Sequence, residues 1–585
     1  MRPALPSLLA LAFLGCSAPE PAPETVPVDA TAASDATVSA PADAAIPNPD
    51  STVSVTDAEA SPEDAGQPLD AAGQTDAEPA DAGLWRSVLY GPNWSPGDAD
   101  DEGRFLHDFS YAGYRQGETL PPLDPALPRF AVPAMDGDAT ATIQAAFDDA
   151  VAAGGGVVEL GEGDFRIAGR VAFNASNVHL RGAGAAHTRL QFTQVEGMAY
   201  SAYLTVGMPP SQGRDRPVSV DVGVGQTVLP LDDVDGLSVG DDVLVGIVIT
   251  PAFVEAHQMT GVWGPFNDTW QPFFRRAIVA LDSEASPPTI TLDIPLRYPL
   301  MRRDEVSVRR ETGLLSEVSI AGLSVSTAVP YAQAWAENQV HAIELLGVKD
   351  AWVEDIGTFA APEGYANRRA PEAHLRSGGI LIRSSKRVTI ANSHLAYPQH
   401  RGGGGNGYLY EIRQSNEILT RDSTGVAGRH NFIQNWGFGT SGCVWLRVHS
   451  RDGFLLVSSD SGLGRGGLSE FHHSLAMANL IDHSRFDDGW GSINRGLNSS
   501  GAGHSATENV VWNATGVGNV LSYQFGHGYV IGTGPEIFTF SALPGLYGQG
   551  TEPEDWVEGA GMAATLRPVS LYEDQRRRRL GRTAP

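Results

Sequence analysis

The chain predicts an all-β solenoid, and three observations carry that prediction. Short apolar and β-branched runs recur about every 30 residues from Leu314 onward, separated by polar turns. Within the runs, apolar and polar residues alternate with the period of two of a half-buried strand, and no amphipathic helix lies between them. The part fit to fold is about 500 residues, too long for one compact core but natural for a fold that grows along one axis.

The chain opens on a processing signal. Arg2 is followed by an apolar run from Leu8 to Leu14 and then by Gly15 and Cys16, too short a stretch to cross a bilayer. Phe13 to Cys16 resembles a bacterial lipobox. The resemblance implies lipidation of Cys16, attachment to a membrane through that lipid, and a place in the cell envelope, at the outer membrane, or among secreted proteins. The chain has two cysteines, and the other, Cys443, stands among apolar neighbours as a buried thiol, so stability must come from a large core.

Residues 17–83 contain fourteen acidic residues and no basic or aromatic one, which accounts for about half of the formal charge of −29. Like-charge repulsion and scarce apolar surface predict a disordered tether with a reach of roughly 45 Å. No basic stripe is present, which speaks against nucleic acid; the Arg576 to Arg579 run reads as a solvated helix face. A monomer is expected.

From Asp138 the apolar residues Ile143, Phe147 and Val151 fall on one helical face, with Asp138 as N-cap and Gly154 to Gly156 as the stop. Such a helix covers the open edge of a first rung. DGDATATIQAAF from Asp136, GGGVVELGEGDFRI from Gly154 and SNVHLRGAG from Ser176 together resemble the opening of pectate-lyase-superfamily proteins. The specific resemblance spans about 50 residues; the rung pattern extends it over most of 136–534. It implies a right-handed parallel β-helix and a carbohydrate ligand. It brings no catalytic motif, because members of this superfamily set different residues on one scaffold.

The expected organisation is an N-terminal segment, helix and first rungs over 84–217, a β-rich insertion over 218–313, the main solenoid over 314–535, and a capping tail over 536–585. Trp263, Phe266, Trp270, Phe273 and Phe274 lie in the insertion, either as a small aromatic core or as a wall over a sugar cleft.

The repeat sorts the polar residues. Asp355, Asn392, Asp422, His483 and Asn513 fall in one column at a turn, where stacked polar side chains satisfy backbone groups; Val448 to Ser450 is read as a further member, which puts His449 beside that column. Counting back nine to eleven residues from the column reaches Arg383, Glu411, Arg413, His472, Ser474 and His504. If Ile380, Ile382 and Ile412 point inward, their polar neighbours share an outer face, as a catalytic surface or as a salt-bridged ladder. His430 with Arg429, the pair Asp487 and Asp488, and Arg495 add to it. Asp487 and Asp488 in a glycine-rich turn are turn formers, a paired acid and base, or a Ca²⁺ site. Followed by Gly503-His504, they also resemble polygalacturonase-type glycosidases.

Two chemistries follow. β-Elimination on a uronate needs a cation for the carboxylate and a base for the C5 proton. Arg383, Arg413, Arg429 or Arg495 supplies the first, and His430, His472 or His504 the second. Hydrolysis needs two carboxyl groups, drawn from Glu411, Asp487 and Asp488. Trp436, Trp490 and Tyr523 serve either as stacking platforms. The surplus of histidine and arginine favours a uronate polysaccharide lyase. The alternatives are a glycoside hydrolase and a non-catalytic polysaccharide-binding adhesin. No metal is assigned beyond a candidate Ca²⁺.

Overall fold

The computed structural model describes residues 83–366, 370–459, 464–540 and 551–581. Cys16, the lipobox-like segment and the acidic tether up to residue 82 lie outside the described residues.

The body is a right-handed parallel β-helix. Ten strands, from Val171–Phe173 to Thr539–Phe540, stack as one parallel sheet. On an adjoining face Leu180, Ile320, Val353, Ile390, Thr420, Trp445, Ile481, Val511 and Val530 lie in one unbroken register. Inward side chains from both faces, among them Ile343, Ile380, Tyr410, Phe432, Val353, Ile390 and Ile481, form a continuous core.

Two positions past that register column, Gly322, Asp355, Asn392, Asp422, Arg447, His483 and Asn513 all take left-handed backbone, with φ between 48° and 69°. That conformation favours Gly, Asn and Asp, which is why the column is visible in the sequence. Arg447 is the exception, and it corrects the expected alignment. Trp445 to Arg447 forms the rung, whereas Val448 to Ser450 leads into the next strand, where His449 pairs with Thr424.

The helix Thr140–Ala152 buries Ile143, Ala146, Phe147 and Ala150. Its cap differs by one residue: Ala139 is the N-cap, and the Asp138 carboxylate instead accepts from the Thr140 and Ala168 amides at 3.0 and 2.9 Å.

Between Gly207 and Leu315 the solenoid is interrupted by a seven-stranded antiparallel sheet. Its aromatic residues are a core rather than a wall. Trp263, Phe266, Phe273 and Phe274 are buried together with Phe438, Leu475 and Met477 of the solenoid, while Trp270 lies half-buried under Arg309. The seam between insertion and solenoid is ionic as well. Glu417 meets Arg297 at 2.9 Å and Arg276 at 3.3 Å, and Lys349 and Lys386 both reach Asp242.

The tail departs from the expected end cap. The helix Leu571–Arg579 lies along an outer face whose exposed positions would otherwise be apolar: Leu419, Val444, Leu446, Leu480, Val510 and Trp512. Residues 85–117 share that face through Leu89, Tyr90, Phe109 and Ala112. The arginines of this helix are not a solvated face. Arg578 donates to the Pro92 carbonyl at 2.9 Å, and Arg579 to Ser110 Oγ at 2.7 Å.

Candidate active site on an outer face

The ten-stranded sheet has one outward column that alternates acid and spacer: Glu344, Leu381, Glu411, Ile433, Glu470, Gly491. Their in-chain neighbours Leu345, Ile382, Ile412 and Phe471 face the core, so the strand period turns the acids outward. Acids two rungs apart are separated by about 9.6 Å along the axis. Each has its own cation. Arg383 meets Glu344 at 2.8 Å, Arg413 meets Glu411 at 2.5 Å, and Arg495 meets Glu470 at 2.7 Å.

Glu411 is the most tightly held. It also accepts from Asn435 Nδ2 at 2.8 Å and lies 2.8 Å from His341 Nε2. Burial pushes its carboxyl up, but Arg413 and His341 outweigh this and hold it well below the usual range. Arg413 also donates to Gln339 at 2.8 Å. Arg383, Glu411 and Arg413 share one face as expected, and of the two uses open to them they form the ladder of ion pairs.

Beside Glu470 the face changes character. His430 and His472, from neighbouring rungs, both turn toward it: His430 Nε2 is 3.1 Å from Glu470 Oε1, and His472 Nδ1 contacts the same oxygen. Tyr408 packs against both imidazoles, with ring centroids 5.2 Å from His430 and 6.2 Å from His472. Arg429 lies over Tyr408, and its Nη1 donates to the Gly402 carbonyl at 2.9 Å. Burial pushes His430 down to about 3 and His472 well below its ordinary value. Neither Glu470 nor Tyr408 stands out in the sequence. Glu470 shares the outward register of Glu411, but a longer turn before His483 places it outside the counting window.

Loop and aromatic residues pack around this cluster, in which Tyr408, His430, Glu470 and His472 are all buried. Trp335 stacks on His400 at 4.1 Å, and Gln339 binds the Gly404 carbonyl. The paired strands Phe454–Leu456 and Gly464–Gly466 set Phe454 near Arg401. Phe266 of the insertion packs on Trp436 and His473, and Trp436 remains 43% exposed.

Other expected residues are elsewhere. Trp490 is no platform: it is buried in the core against Trp445, Phe471 and Phe486. Tyr523 is likewise buried. His504 belongs to the seam with the insertion, its ring against Phe525 and its amide on Met259, and burial pushes it down to about 3. Its backbone bridges Asn494 and so closes the loop that presents Arg495.

Asp487 and Asp488 do not form a working pair. Asp487 is held by His449 at 2.8 Å and Arg485 at 3.1 Å, which together outweigh burial and lower it. Asp488 is turned under the neighbouring strand, accepting from Asn431 at 2.9 Å and the Gly453 amide at 3.1 Å, and burial pushes it up to about 6.

No known protein family and no curated protein matches this chain. Solved structures with distant likeness include the tailspike of Acinetobacter baumannii bacteriophage AP22 in complex with capsular saccharide. It is 8% identical with a TM-score of 0.39, and the match covers 74% of this chain and 64% of the tailspike. The chain thus spans just under two thirds of that protein's length. Polygalacturonase from Erwinia carotovora matches at 10% identity and TM-score 0.30, over 72% of this chain and 96% of the enzyme. The catalytic domain of an α-1,3-glucanase in complex with tetrasaccharides matches at 10% identity and TM-score 0.31, over 76% and 68%. Likeness at this level assigns no chemistry to the chain.

Proposed function

We propose that this protein is a polysaccharide-cleaving enzyme of the cell envelope, held there by lipid on Cys16, and that it acts by β-elimination on a uronate polymer. The observation that carries the proposal is the meeting of Tyr408, His430 and His472 with Arg413, Arg429 and Arg495 on one outer face. Arg429, whose Nε has no hydrogen-bond partner among the described residues, has donors to spare for a uronate carboxylate. Neutralising that carboxylate acidifies the C5 proton, which is taken by a neutral imidazole of His430 or His472, while burial keeps Tyr408 a protonated phenol. The electron pair forms the C4–C5 double bond, the C4–O bond breaks, and Tyr408 gives its phenolic proton to the departing glycosidic oxygen, to be restored from the imidazolium.

Two features weigh against the alternatives. Hydrolysis needs one protonated carboxyl beside an ionised one; Glu411 is held ionised, and Asp487 and Asp488 are tied to different partners. A passive binder of sugar presents a row of exposed aromatic platforms, whereas of Trp436, Trp490 and Tyr523 only Trp436 is exposed.

The test is incubation of the purified protein with uronate-containing and neutral polysaccharides. Absorbance growing near about 232 nm, from the unsaturated product of elimination, is the expected outcome. Reducing ends without that absorbance would point to hydrolysis, and binding without any product to an adhesin.

A further inference from the structure

We propose that His430, Glu470 and His472 bind a transition-metal dication of the zinc class. Their ligand atoms lie within 4.8 Å of one another, and all three side chains are buried. His430 Nδ1 sits 2.5 Å from the Leu468 carbonyl oxygen, which can only accept, so Nδ1 carries the hydrogen. In the neutral ring Nε2 is then a bare lone pair, 3.1 Å from the carboxylate oxygen Glu470 Oε1 and without an aligned hydrogen bond. Two acceptors facing each other away from water are unfavourable unless something positive lies between them. His472 Nδ1 is aimed at the same oxygen, so three donor atoms converge on one point.

The surroundings fit a ligand set. The Leu468 carbonyl fixes the tautomer of His430, and Arg495 grips Glu470 Oε2 at 2.7 Å, which leaves Oε1 turned to both imidazoles. Two imidazoles and one carboxylate are donors for zinc and its neighbours; Ca²⁺ takes six to eight oxygens and does not suit them. Ligands of one zinc ion lie roughly 3.3–3.6 Å apart, so a small rotation of Glu470 away from His472 admits the ion. Arg495 opposes it electrostatically and lowers the affinity. With the ion in place the imidazoles are ligands rather than bases, so the metal-loaded site does not carry out the elimination proposed above. The metal site itself does not depend on that reading.

The experiment uses the purified full chain, stripped with chelator and titrated with Co²⁺ and then Zn²⁺. The expected result is one Co²⁺ per chain, with visible absorption of a nitrogen- and oxygen-bound ion that Zn²⁺ displaces, and a raised Tm in excess Zn²⁺. Because outer partners of ligands alone are worth 10–100-fold, His430→Gln with His472→Gln should weaken binding at least about 100-fold. Circular dichroism confirms that this variant folds; if it does not, the wild-type stoichiometry and Co²⁺ spectrum decide. Absence of binding at about 50 μM protein, far above the affinities of structural zinc sites, overturns the proposal, as does binding unchanged in the folded double variant. Polysaccharide cleavage that survives chelation, together with metal binding, would leave the site standing and separate it from the chemistry.

Discussion

Replacing Glu417 by Gln removes a negative charge from between two guanidiniums that water does not reach. Arg297 donates to both carboxylate oxygens at 3.0 and 2.9 Å, and Arg276 lies 3.3 Å away. Breaking a buried pair by removing one partner costs about 3–5 kcal/mol, chiefly because the remaining charge stays buried without compensation. Both arginines belong to the insertion and Glu417 to the solenoid, so the loss falls on the docking of one against the other. At about 4 kcal/mol the undocked population rises by a factor of roughly 1,000. Hydrogen exchange over Asp242–Val248 and Trp270–Asp282 should accelerate accordingly, and Phe266 should release Trp436. A contrasting variant, Glu417→Leu with Arg276→Met and Arg297→Met, leaves no ion behind and should cost far less. If Glu417→Gln shifts exchange by less than about tenfold, or the triple variant is the worse of the two, uncompensated charge is not what holds this seam.

Four further outcomes follow from the packing described above. His504→Leu should keep activity within about twofold and gain about 1 kcal/mol in urea denaturation, because neither ring nitrogen has a hydrogen-bond partner among the described residues; a loss of 100-fold would restore it to the active site. Tyr408→Phe should lower kcat at least about 100-fold with little change in KM, and Trp436→Ala should raise KM with kcat kept, as steady-state kinetics on the cleaved polymer will read. Burial pushes Asp555 up to about 7 from an ordinary 3.8, so the folded state holds a proton that the unfolded chain has released. Its contribution to stability is present below pH 4 and lost as pH rises toward 7, roughly 3–5 kcal/mol in all. Urea midpoints at pH 5 and pH 8 should differ in wild type and differ less in Asp555→Asn, with Asp482 and Asp488 supplying the remainder.

What could be read in the sequence was whatever the backbone forces on residue choice. Left-handed turns at Asp355, Asn392, Asp422 and Asn513 restrict side-chain type, so the rung repeat surfaced; Arg447 breaks the restriction, and the alignment slipped there by three residues. The strand period likewise placed Arg383, Glu411 and Arg413 outward. Glu470 and Tyr408 escaped because rung lengths vary, and a count along the chain cannot register strands that pair through space. Trp490 and His504 misled for a related reason: aromatic and imidazole side chains serve a core or a seam as readily as a sugar site, and only packing separates the two uses. Asp487 and Asp488 are adjacent in the chain, yet their different partners pull them apart.

The meeting of residues 85–117 with the helix Leu571–Arg579 changes what kind of object the solenoid is. A stack of rungs touches only its neighbours and can fray from either end. Here Trp85 bridges Leu566, Tyr90 bonds Asp574 at 2.8 Å, Gln575 donates to the His107 carbonyl at 2.8 Å, and Tyr572 donates to that of Ala112 at 2.8 Å. The two chain ends of the body thus fasten to each other across the flank of the rungs between Leu419 and Ile531. The last rungs cannot peel away without first undoing this buckle. A linear array is thereby closed into a loop of contacts, and the rungs behind the outer face gain or lose their order together.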